Sequence, residues 1–130
     1  MRKTGDSLNY AKAIENLGDE YNLSFGQPDL ALLYFRESGA IFKALDNKMG
    51  MAYNLGNIGL AYAQLGKNDL AEDNMAKATT ILEELGDFYP IAVYLTFMSD
   101  IYAGRGDWDA AFTYALKSLD LARQYGLKEQ

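Results

Sequence analysis

The chain has no cysteine and no histidine among its 130 residues. Those two absences remove thiol nucleophiles, disulfide frameworks, Ser-His-Asp triads and the usual ligand sets of zinc and haem. No cofactor and no metal is expected. Positive charge is also short, twelve Lys and Arg against eighteen Asp and Glu, for a net charge of −6. An acidic chain suits neither a nucleic-acid backbone nor an anionic membrane surface as its main partner. No apolar run approaches the ~18 residues of a membrane span. The opening MRKTGDSLNY lacks the apolar centre of a secretory signal. A cytoplasmic location is expected, with which the lack of cysteine is compatible. No Gly-Lys-Ser/Thr follows a strand-like segment, so there is no phosphate loop.

What is present is apolar surface: 49% of residues are hydrophobic and 13% aromatic, too many for a disordered tail and enough for one globular domain. Glycine is abundant and oddly placed. The stretch NLGNIGLAYAQLG at 54–66 has helical spacing, yet it carries Gly56 and Gly59 inside the helix. An interior glycine costs a helix about 0.5–1 kcal/mol relative to alanine, so each calls for a compensating contact.

Laying the chain over itself supplies a frame. Gly26, Gly66 and Gly106 recur at intervals of forty residues, each followed five residues later by Ala31, Ala71 or Ala111. Upstream, Ile14-x-x-Leu17-Gly18-x-x-Tyr21 matches Leu55-x-x-Ile58-Gly59-x-x-Tyr62 and Leu95-x-x-Met98-Ser99-x-x-Tyr102. Apolar residues at 14, 17 and 21, then at 31, 35, 38, 41 and 45 apart from Ser38, follow a helical period, so each copy predicts two helices. GQPD, GKND and GDWD at 26–29, 66–69 and 106–109 separate the helices within a copy; LDNKMG at 45–50 and LGDFYP at 85–90 separate the copies. Asp29, Asp69 and Asp109 sit where a helix dipole favours an acid, and Pro90 suits a first helical position.

The pattern resembles the tetratricopeptide repeat, with Leu-Gly-x-x-Tyr followed by Ala-x-x-x-Phe. Ala31-x-x-x-Phe35 completes it, and Ala71-x-x-x-Met75 and Ala111-x-x-x-Ala115 complete it with softer or smaller residues. The proline that usually ends the second helix is replaced by Lys43, Glu83 and Arg123, and the period is about forty rather than thirty-four, as in long-period variants. The expected fold is all-α, a right-handed solenoid of three antiparallel helix pairs. The expected organisation is a lead-in over 1–7, a repeat domain over 8–127 (repeats at about 8–48, 49–88 and 89–127) and a tail at 128–130. Gly18 and Gly59 are expected at close helix crossings against Ala31 and Ala71, with Ser99 keeping that column small opposite Ala111.

The resemblance implies a protein-interaction module without catalysis, whose first helices line a concave groove. In the first copy the groove stripe is Lys12, Glu15, Asp19 and Asn22, flanked by Asn16. In the second it is Tyr53, Gly56, Leu60 and Ala63, flanked by Asn57; in the third it is Val93, Thr96, Asp100 and Ala103, flanked by Phe97. The plain alternative for any of these is a solvated or neighbour-packed helix side. Family members that clamp a C-terminal carboxylate need Lys and Asn in columns where this chain has Glu15, Asp19 and Asp100. The expected ligand is therefore a basic or apolar protein segment rather than an acidic C-terminus. Rival readings are a regulatory segment of a larger signalling protein (a nucleotide cyclase, histidine kinase or transcription regulator), since the chain begins and ends close to its repeats, and a structural oligomerisation spacer.

Glu83, Glu84, Asp69, Glu72 and Asp73 read as surface charges, because helical neighbours point ~100° apart and first-turn acids are ordinary dipole partners. The Arg105-Gly106-Asp107 triplet reads as a repeat turn. In the last helix the copies diverge: Leu32/Glu72/Phe112, Arg36/Ala76/Leu116 and Gly39/Thr79/Leu119 become large and apolar together in the third copy alone. Phe112, Leu116 and Leu119 form one stripe where a terminal repeat normally needs a polar face, and they mark a candidate self-association surface giving a homodimer. Cover by the next element of a longer protein and burial of the stripe within the chain are the alternatives.

Overall fold

The computed structural model describes the backbone of residues 4–129 and the burial of 5–126. It is all-α, with helices α1 (Thr4–Leu23), α2 (Pro28–Ala44), α3 (Lys48–Gln64), α4 (Asn68–Glu84), α5 (Tyr89–Gly104) and α6 (Trp108–Glu129), two to each sequence repeat. The first helix starts at Thr4, inside the stretch read as a lead-in.

Helix ends fall where the local chemistry puts them. Pro28 and Pro90 occupy the first turns of α2 and α5, where a missing N–H costs nothing. Asn47 caps α3 by accepting from the Gly50 N–H at 2.7 Å. Asp29, Asp69 and Asp109 lie in the first turns of α2, α4 and α6. Between helices the chain turns through the left-handed region at Gly26, Asp46, Gly66, Gly86 and Gly106, one every twenty residues. Glycine takes that conformation without a Cβ penalty. Asp46, at φ 51°, is the exception among them.

The chain forms two compact units, residues 1–81 and 82–130. In the first, α2 packs on both α1 and α3. Its centre is Ala31, Phe35 and Ala61, with Tyr21, Leu32 and Ile58 packed around them. The small residues decide how close the helices come. A Cβ on Gly59 would stand 3.1 Å from the Ala71 carbonyl oxygen, so α3 and α4 cross at that glycine as the repeat pattern predicted. Gly18 lies in the same column but meets a different neighbour. Its missing Cβ makes room for the Phe35 ring, 2.7 Å away, and not for Ala31. Large Phe35 projects one turn past Ala31 and reaches the glycine first. Gly50 likewise accepts the Phe42 ring and Gly39 accepts the Asn54 amide, which lets α2 and α3 approach.

In the second unit α5 packs on α6. Tyr102 stacks on Tyr114 with ring centroids 5.5 Å apart, and Met98 is fully buried. Ser99 stands where Gly18 and Gly59 stand in the other copies, and its hydroxyl donates to the Ala111 carbonyl at 2.7 Å.

Candidate functional site

The first-helix stripes divide into residues that the fold consumes and residues it leaves outside. Glu15 belongs to the first kind. Its carboxylate is buried between three helices and accepts from Ser38 Oγ of α2 at 2.6 Å, from Asn54 Nδ2 of α3 at 2.9 Å and from Asn57 Nδ2 of α3 at 2.7 Å. Asn54 spends its second N–H on the Phe35 carbonyl at 2.7 Å. Burial pushes the Glu15 carboxyl above the ordinary range, against the three side-chain donors, which pull the other way; the neighbouring Asp19 charge adds to the rise. Hydrogen bonds to a charged group are worth about 1.5–3 kcal/mol each, which offsets part of that burial cost.

The groove expectation therefore needs correcting at six positions. Glu15, Asn22, Gly56, Asn57, Leu60 and Ala63 are buried and do not form an open ligand-facing row. Glu15 and Asn57 bond to each other because carboxylate and amide meet where α1 and α3 run side by side. Leu60 and Gly56 lie inside the packing of α3, and Asn22 is fully buried with an amide that finds no hydrogen-bond partner. Lys12 and Asn16 of the first stripe are exposed, Asp19 is half-buried and Tyr53 of the second stripe is exposed. Burial raises the Asp19 carboxyl, and nearby Glu20 raises it further.

On α5 of the second unit, Phe97 and Asp100 are exposed and Val93 is half-buried. Thr96 is exposed, but its hydroxyl is engaged: it donates to the Ala92 carbonyl at 3.0 Å and lies 2.8 Å from Ser118 Oγ of α6. Ser118 in turn is 3.0 Å from the same carbonyl. Thr96 and Ser118 occupy the columns of Glu15 and Ser38, and the second copy holds Gly56 and Ala78 there. Carboxylate with hydroxyl, small with small, and hydroxyl with hydroxyl fill one pair of columns in three copies. Read across the two helices of a copy, that pairing was the available sign that Glu15 belongs to the interior.

Phe112, Leu116 and Leu119 are 67%, 45% and 44% exposed on α6. The helix buries Ala111 and Tyr114 instead, and half-buries Ser118 and Leu121. The Arg105–Asp107 turn is structural: Gly106 is left-handed, and the Asp107 carboxylate accepts from the Ala110 N–H at 3.2 Å. The acids singled out on α4 lie on its surface, where Asp73 pairs with Lys77 one turn on at 3.1 Å. Among the described residues, no cluster of three acids could hold a metal, and no helix is long and apolar enough to cross a membrane.

A family model described as tetratricopeptide repeat matches residues 48–124, more than half of the chain. No curated protein matches it.

Proposed function

The chain belongs to the tetratricopeptide repeat family, and from that premise we propose that it is a binding module for a basic or apolar protein segment, with no catalysis of its own. The observation that carries this reading is which side chains the first helices leave accessible. Lys12, Asn16, Asp19 and Tyr53 remain at the surface of the first unit, and Phe97 and Asp100 at that of the second. Acid beside aromatic favours a ligand with positive charge and apolar bulk. Glu15 and Asn57 are withheld from that role by their bond to each other, and acids at Glu15, Asp19 and Asp100 stand in columns where a carboxylate clamp needs Lys and Asn. We place the module in the cytoplasm, with which a chain without cysteine is compatible.

A panel of short peptides, basic, apolar and acidic at the C-terminus, tests the charge argument by titration calorimetry. Basic and apolar members should bind best. Asp19→Lys and Asp100→Lys, tested one at a time, should each weaken a basic ligand by about threefold, ~0.7 kcal/mol, and flatten the salt dependence. Preferential binding of acidic C-termini overturns the reading.

A further inference from the structure

The apolar stripe on α6 is larger than repeat stacking would use. In the first unit, Leu32 stands in the column of Phe112 and is half-buried against Ala31, Phe35 and Ala61; Gly39 stands in the column of Leu119 and backs onto Asn54 of α3. Those two columns face the next repeat's first helix. The column of Leu116 does not: Arg36 occupies it on α2 and is exposed although α3 packs on that helix. A following repeat would cover Phe112 and Leu119 and leave Leu116 in water. Head-to-tail stacking of a second copy fits no better. It too would leave Leu116 in water, and the α1 residues matching the α3 face that meets α2, Asn9, Ala13, Leu17 and Glu20, are all exposed and set two polar side chains among the apolar ones.

We propose that two copies of this chain pair through α6, the helices running antiparallel about a two-fold axis at Leu116. Phe112 and Leu119 lie four and three residues to either side, so the residues of the two copies interleave along the seam. The charges at the ends of the stripe support this pairing. Asp109 and Arg123, both exposed, are each seven residues from Leu116, about 10.5 Å along the axis at 1.5 Å per residue. The two-fold brings Asp109 of one copy level with Arg123 of the other at both ends. Isologous pairing closes on itself, so it yields a dimer and no fibre. This inference does not rest on the peptide-binding reading.

Trp108, the only tryptophan, is exposed on the same face one turn before Phe112 and reports on the seam. Sedimentation equilibrium of the full chain should show a monomer–dimer equilibrium, with Trp108 emission shifting to the blue as concentration rises. Leu116→Glu should abolish the dimer without lowering the Tm of the dilute chain. Asp109→Arg and Arg123→Asp should each weaken it, and the two together should restore it. A wild-type chain that stays monomeric at every concentration, its stripe free for a further helix of a longer protein, overturns the proposal. So does association that survives Leu116→Glu, a lower Tm of that variant when dilute, or a charge swap that fails to restore pairing.

Discussion

The two units join their helices with different polar chemistry in the same columns. In the first, a buried carboxylate gathers donors from two neighbouring helices: Glu15 from Ser38, Asn54 and Asn57. In the second, hydroxyls meet each other and backbone carbonyls: Thr96 with Ser118, and Ser99 with the Ala111 carbonyl. A buried charge must be surrounded by donors or it costs several kcal/mol, so one acidic residue commits three others. A hydroxyl commits only its nearest neighbour. The first unit is thereby tied across three helices and made sensitive to pH, whereas the hydroxyl contacts of the second carry no titrating group.

Overpacking the glycine column gives the largest contrast. Gly59→Leu pushes a side chain at the Ala71 carbonyl 3.1 Å from the Cβ position, and backbone cannot step aside as a side-chain tip can. It should lose at least the ~1–3 kcal/mol of an overpacked core, read as a lower Tm by circular dichroism. An unchanged melting curve would mean that α3 and α4 do not cross there.

The buried carboxylate comes next. Glu15 has a folded pKa above its unfolded one, so its contribution is most favourable below the unfolded pKa and is lost as pH rises through the raised folded value. Asp19 has the same sign. Acidifying toward the ordinary carboxylate range should therefore stabilise helices α1–α3, seen as larger amide protection factors there, relative to the intrinsic exchange rate at each pH, than at neutral pH. Glu15→Gln should flatten that dependence while leaving α5 and α6 unaltered. An equally steep profile in the variant would assign the effect to other acids.

The smallest effect concerns the left-handed turn positions. Asp46→Gly removes a Cβ from φ 51° at the cost of an exposed ion pair with Lys48 at 3.0 Å. Relief of the turn outweighs a surface pair, and a gain of about 0.5–1 kcal/mol in urea unfolding is expected. A loss would show the ion pair to be the stronger of the two.

Glycines at twenty-residue turns, aprotic first-turn positions for Pro28 and Pro90, first-turn acids and helical apolar spacing are local demands, and each is met by residues adjacent in the chain. Those made the all-α repeat legible from the sequence by itself, together with the small column at Gly59 and Ser99, since a column is visible whenever a chain repeats. The close neighbour of Gly18, the withdrawal of Glu15 and Asn57 from the surface and the glycine seats for Phe42 and Asn54 were decided only by tertiary structure. Helix periodicity says which side chains share a face. It does not say which carboxylate will find donors on a helix 39 or 42 residues away, because that depends on how closely two backbones approach. Between α1 and α3 the Glu15 carboxylate meets the Asn54 and Asn57 amides, and a stripe read as a ligand groove became, in part, an interior.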